Sequence, residues 1–176
     1  MIYPIYLYGE EILRKKAEDA DLNDPNLPQL ISDMFETMHA ANGAGLAAPQ
    51  IGISKKLIVI EEEIKDGKIF KGVFINPNII SYAGYLTELT EGCLSFPEIK
   101  AQIRRPAFID VEWHDENKKY YRELISGIPS IILQHEIDHL NGVLFIDKMN
   151  STEKLKLFMA LENIRNKKVK INYLIE

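Results

Sequence analysis

The sequence predicts an α+β fold: mostly antiparallel sheets packed around a central helix, plus an N-terminal and a C-terminal helix. Three observations lead there. Apolar residues recur at helical spacing in three separate stretches. A block of short, alternating, β-branched runs lies between the first and second of these. The strand-like runs are grouped and do not alternate with helices, which argues against a parallel sheet. At 176 residues the chain fits a single domain, 1–176, with one sizeable core.

The first helix is expected from about Pro25 to Asn42. Leu27, Leu30, Ile31, Met34, Met38 and Ala41 fall on one face, and Gly43 stands where a C-cap belongs. Lys56 to Ile60 reads as a strand, and Asp66-Gly67 marks a turn inside Ile64 to Phe70. Val73 to Ile75, Ile79 to Leu89 and Ala107 to Trp113 read as further strands, with Tyr120 to Leu124 returning as a hairpin partner. A second helix is expected from Pro129 to Asn141, opened by its proline and closed by Gly142. A third begins at Asn150, where Glu153 completes a capping-box spacing. Leu155, Phe158, Leu161 and Ile164 form its apolar side.

Composition narrows the classes of function. Net charge is −5, so the surface as a whole does not attract nucleic acid; the strongest basic patch runs from Arg165 to Lys170. The one cysteine, Cys93, leaves no partner for a disulfide within the chain and suits a reducing compartment. Met1 to Leu7 is apolar but short, uncharged and interrupted by Pro4, unlike a signal peptide. No run reaches the ~18 residues of a membrane span. A cytoplasmic protein with no membrane contact is expected.

The second helix carries the chemistry. His135-Glu136-Ile137-Asp138-His139 matches H-E-x-x-H. Residues four apart share one helical face, so two imidazoles can converge on one divalent ion. Glu136, about 100° round the helix, can reach a water beside that ion. Two solvated histidines on an acidic helix would give the same letters. The apolar entry at Ile128, Ile131 and Ile132 argues instead for a buried helix, and buried histidines need partners.

A catalytic ion needs a third protein ligand and an open position. One extended pattern would place a histidine where this chain has Phe145, which cannot ligate. A downstream glutamate, Glu153 or Glu162, is one alternative, as in a zinc endopeptidase. Cys93, in Glu91-Gly92-Cys93-Leu94-Ser95, is another, although a lone cysteine is more often a small buried hydrophobe. His39 and His114 sit alone and read as ordinary surface or satisfied histidines. Gly43-x-Gly45-x-x-Ala48 mimics a dinucleotide fingerprint. That fingerprint needs strand, glycine turn and helix in order, whereas a helix precedes these glycines.

Three stretches taken together resemble the peptide deformylase family: Gly43-Ala44-Gly45-Leu46-Ala47-Ala48-Pro49-Gln50, Glu91-Gly92-Cys93-Leu94-Ser95 and Gln134-His135-Glu136-Ile137-Asp138-His139. Their order and spacing match as well. The resemblance implies a hydrolase that removes the N-formyl group from N-formylmethionyl nascent peptides. It implies Cys93, His135 and His139 as metal ligands and Glu136 as general acid/base. Gln50 and the Leu94 N–H would be the oxyanion donors, and Arg105 the buried charge partner of Glu91. It implies ferrous iron as the ion, with zinc, nickel or cobalt able to substitute. Ala44, Gly45, Ile128, Ile131 and Ile132 are expected to line the slot for the methionine side chain.

Ala44 is small where relatives often carry a larger apolar residue, and Lys100 stands where many have arginine. Some relatives dock near the ribosomal exit through their C-terminal helix. Here the corresponding surface would be the third helix with Arg165, Lys167, Lys168 and Lys170. Beyond it, Val169, Ile171 and Tyr173 alternate like a short strand.

Overall fold

The computed structural model describes residues 1–176, with every side chain except that of Asp66. Its elements are α1 (Leu27–Ala40), β1 (Gly45–Ala47), β2 (Leu57–Glu63), β3 (Ile69–Cys93), β4 (Phe96–His114), β5 (Tyr120–Ser126), α2 (Gly127–Leu140), α3 (Ser151–Lys156) and α4 (Phe158–Arg165). The strands form one sheet in the order β1-β2-β3-β4-β5, and each neighbouring pair is antiparallel. The α+β expectation with antiparallel pairing is met, by one sheet and not by several. Among the described residues no helix is long and apolar enough to cross a membrane.

The continuous apolar run Leu57-Ile58-Val59-Ile60 reflects burial on both faces. Ile58 and Ile60 pack with Leu133, Ile137 and Leu140 of α2. Leu57 and Val59 point the other way, into a cluster with Ile31, Met34 and Met38 of α1. The side-chain period of two thus sends alternate residues of one strand to two different helices. A third cluster joins Phe96, Ile99 and Ile103 of β4 to Phe145, Leu161 and Ile164.

Several local readings need correction. The strands expected at Val73–Ile75 and Ile79–Leu89 are parts of β3, which continues to Cys93. Asn76-Pro77 separates the two expected strands, and Gly84 lies inside the second of them. The ladder absorbs both as irregularities between Ile75 and Asn78 and between Ala83 and Leu86. Asn76 adopts φ +53, and its amide binds both the N–H and the carbonyl of Ala20, at 2.8 and 3.0 Å. The strand expected from Ala107 starts at Phe96.

At the end of α1 it is Asn42, with φ +55, and not Gly43 that takes the left-handed position. Gly43 N–H then bonds Met38 O at 2.9 Å, completing a Schellman motif. The third helix breaks at Leu157 into α3 and α4. Its Asn150 cap stands, accepting from Glu153 N–H at 2.9 Å. Of the four apolar residues expected on one side, Leu161 and Ile164 are buried while Leu155 and Phe158 are exposed. The tail after α4 makes a single parallel bridge, Ile175 with Ile5, in place of a strand.

α2 ends as the sequence predicts. Gly142 has φ +70, and Val143 N–H bonds Asp138 O at 2.9 Å. A Cβ at Gly142 would lie 2.4 Å from Arg14 O, so the turn out of α2 is pressed against backbone. This contact and the sheet on its other side fix where the two histidines of α2 stand.

Candidate metal centre and hydrolytic cleft

β3 and β4 form a long hairpin that ends in the two-residue turn Leu94-Ser95, closed by Cys93 against Phe96. A register shift between Gly92 and Cys93 displaces the cysteine from the regular ladder. Its Sγ lies 3.2 Å from His139 Nε2. Ligand atoms of Cys93, His135 and His139 all fall within 4.8 Å of one another. Both rings are buried, His139 almost completely.

The second ring nitrogens differ. His135 Nδ1 contacts Glu91 Oε2 at 2.9 Å, which orients that ring with its Nε2 free for the centre. His139 Nδ1 is buried without a partner. Burial disfavours charge on His135, but the Cys93 sulfur and Glu91 override it and push its pKa up to about 10. Burial and the His135 charge hold His139 well below its ordinary value. One ring is thus drawn to a positive charge and the other kept neutral beside a thiol. Cys93 Sγ, His139 Nε2 and the His135 nitrogen not taken by Glu91 form a donor set that fits a divalent cation.

Glu136 is buried, with Oε2 unpartnered. Burial pushes its carboxyl up to about 7. A Cβ at Gly45 would lie 2.7 Å from Glu136 Oε1, so only glycine lets β1 pass this close to the acid. Gln50 follows in the 3-10 turn Ala48–Ile51. Its Oε1 accepts from Ala47 N–H at 2.9 Å, which aims Nε2 at the centre, 3.5 Å from Cys93 Sγ and 3.3 Å from Ser95 Oγ.

Glu91 and Arg105 support these groups from beneath. Along β4, buried positions alternate through Ile103, Arg105 and Ala107, so the arginine points into the core. Its Nε and Nη2 donate to the two Glu91 oxygens at 2.5 and 2.9 Å, and Nη1 to Asp138 Oδ2 of α2 at 2.7 Å. Burial would raise the Glu91 carboxyl; hydrogen bonds from His135 and Arg105 override it and hold it at about 2. Because the folded value is depressed, this contribution to stability is complete above the ordinary 4.5 and is lost as pH falls toward 2.

The residues read from sequence come together. Ala44, Gly45, Gln50, Cys93, Leu94, His135 and Glu136 line one cleft of about 770 Å³ with Ile128, Ile131 and Ile132. His139 does not line the cleft but joins Cys93 and His135 in the ligand cluster. Glu153 is exposed and Glu162 pairs with Arg165, and neither belongs to that cluster. His39 is on the surface, 3.0 Å from Glu61. Sequence reasoning missed Ser95, Asp138 and the tail residues Lys170 to Tyr173, which form one cleft wall. Asp138 sits inside the H-E-x-x-H motif and one turn from Gln134; its role shows only once β4 places Arg105 beside it.

Two imidazoles, a thiol and an unpaired carboxyl around one cleft define the site of a metal-dependent hydrolase. Residues 2–155 match the polypeptide deformylase family. The peptide deformylase of Christiangramia forsetii is 40% identical over 185 residues, covering 98% of this chain and 94% of the relative. That of Karelsulcia muelleri is 47% identical, covering 85% and 79%. A crystal structure of the Synechococcus elongatus peptide deformylase in complex with actinonin superposes with a TM-score of 0.84 at 38% identity, covering 99% and 92%. The Thermus thermophilus enzyme gives 0.85 at 37%, covering 94% and 99%. The chain belongs to the peptide deformylase family, metal-dependent hydrolases that remove the N-formyl group from peptides.

Breaking a buried ion pair strands the remaining charge, at a cost of about 3–5 kcal/mol. Arg105→Met should lower unfolding stability by that order in urea titration. Arg104→Met, on the exposed phase of the same strand, should change little. Equal effects of the two would contradict the role given to Arg105.

Proposed function

We propose that Cys93, His135 and His139 hold the divalent ion, that Glu136 moves the proton, and that Gln50 and the Leu94 N–H stabilise the developing oxyanion. The observation that carries this reading is the convergence of the three ligand atoms beside the unpartnered Glu136 carboxyl. The ion supplies a Lewis acid for the formyl group and lowers the pKa of water.

The protein's own residues supply the rest. The formyl oxygen is held between Leu94 N–H and Gln50 Nε2, the latter aimed before reaction by the bond from Ala47 N–H to Gln50 Oε1. Glu136 takes a proton from the attacking water as the new C–O bond forms. It delivers that proton to the peptide nitrogen as the C–N bond breaks. Formate and a free N-terminal amine leave. A carboxyl raised toward neutrality by burial suits a group that must both accept and give.

The methionine side chain is assigned to the slot formed by Ala44, Gly45, Ile128, Ile131 and Ile132 on one side of the cleft. An unbranched thioether fills such an uneven apolar wall, and its burial contributes about 1.5–3 kcal/mol. Ferrous iron is the ion proposed for the cell, with zinc, nickel or cobalt substituting. The ligand set tolerates each, and supply decides among them. The whole chain is read as one catalytic domain, working in the cytoplasm where nascent chains emerge.

A ribosome contact is proposed through α3, α4 and the tail. Leu155, Phe158 and Met159 are exposed and apolar. Of the basic residues, Arg165 lies against Tyr8 and Glu162, and Lys167 pairs with Glu10. Salt-dependent co-sedimentation with ribosomes, lost on truncation at Asn163, is the outcome this contact requires.

One assay tests the main reading: formyl-Met peptide offered to protein purified without air, with the unformylated peptide as protease control. Glu136→Ala should keep its metal and lose about 10² to 10⁴ in rate. Formyl-Met should exceed formyl-Ala in kcat/KM, and Ile132→Asp should erase most of that preference. Normal turnover by metal-loaded Glu136→Ala would remove the proton role. Equal rates on the two peptides would remove the slot.

A further inference from the structure

The turn that bears Leu94 is pinned from outside the hairpin. Tyr8 N–H donates to Ser95 O at 2.9 Å. Gln50 Nε2 donates to Ser95 Oγ at 3.3 Å. The third pin comes from the tail: the Tyr173 hydroxyl donates to Leu94 O at 2.5 Å. Leu94 N–H makes no backbone hydrogen bond among the described residues, and Leu94 lines the cleft.

The tail is itself anchored. Ile5 N–H bonds Leu174 O at 2.9 Å, and Glu176 N–H bonds Ile5 O at 3.2 Å. Val169, Ile171 and Ile175 pack on the cluster that contains Phe96 and Phe145. Tyr173 therefore stands on a fixed support, with its ring in the cleft wall and its hydroxyl on the turn.

We propose that Tyr173 is a positioning residue for the reaction, acting through Leu94. The two peptide groups of Leu94 share one Cα. Holding its carbonyl, together with the pins on Ser95, restrains ψ there and limits how far the N–H swings from the cleft. Without the hydroxyl, that carbonyl loses its partner, and the short turn that also carries the N–H loses one of its three pins. A donor counts most when it is already aimed at the place where charge will develop. The proposal rests on the reading of Leu94 N–H as an oxyanion donor.

Tyr173→Phe keeps the ring in the wall and removes only the hydrogen bond. Losing a whole oxyanion donor costs about 10² to 10³ in kcat, so loosening one should cost about 10-fold. KM, bound metal and Tm should stay at the values of the unaltered enzyme. Gln50→Glu, which keeps the acceptor for Ala47 N–H and loses the donor, is measured alongside. A kcat loss in both variants, with KM, metal and Tm held in Tyr173→Phe, supports the proposal. Should Gln50→Glu lose kcat while Tyr173→Phe is unchanged, shifts only KM, or loses Tm or metal, the positioning role is overturned. Should neither lose kcat, the oxyanion reading falls and the proposal with it.

Discussion

Glu91 is a buried carboxylate that answers two partners at once. One oxygen accepts from Arg105 Nε; the other meets both Arg105 Nη2 and His135 Nδ1. Burying such a group unpaired would be costly, and burial alone would have raised its pKa. The pairing instead fixes three elements against one another. Glu91 is on β3, Arg105 on β4 and His135 on α2, while Arg105 also reaches Asp138 on α2. A buried ion pair is weak evidence for stability; what this one does is tie β3, β4 and α2 together through Glu91, Arg105, His135 and Asp138. A slip of one residue in β4 would turn Arg105 to solvent together with the buried Ile103 and Ala107 on either side of it.

From this constraint the rest of the site follows. Glu91 lies two residues before Cys93, so orienting it sets the approach of the thiol to α2. The same carboxylate orients His135 and leaves Nε2 for the centre. His139 comes with it, one helical turn on. The opposite wall is placed separately. β1 runs past Glu136 at a glycine, and the 3-10 turn after it aims the Gln50 amide. Turn Cys93–Phe96 is where the two halves meet, held by contacts from both ends of the chain.

Much of this was legible because the chemistry sits in short local patterns. H-E-x-x-H specifies its own geometry on a helix, and Gly142 ends that helix where the sequence says. Cys93 became interpretable only through its neighbours Glu91 and Gly92 and the resemblance they carry. What stayed hidden depends on long-range contacts. Asn76-Pro77 looks like the end of a strand; pairing with β4 carries the ladder through it. Arg105 follows a second arginine and precedes a proline, so its inward phase is seen only when β4 is extended back to Phe96. Leu157 carries no breaker, yet the helix divides there, and Leu161 and Ile164 join Phe96 and Phe145. Tyr173 meets Leu94 across 79 residues, a distance no periodicity reports.

The central claim is that one ion sits among Cys93, His135 and His139. X-ray absorption on protein purified without air reads that shell directly. With the iron-loaded enzyme, and again after zinc replacement, the account requires one sulfur scatterer and two imidazole nitrogens, with at least one further light-atom position open to exchange. For zinc, the sulfur should appear at about 2.3 Å and the nitrogens at about 2.0–2.1 Å. Cys93→Ser should remove the sulfur component and leave the imidazoles. A metal shell without sulfur in the unaltered protein, or one whose sulfur survives Cys93→Ser, would contradict the account.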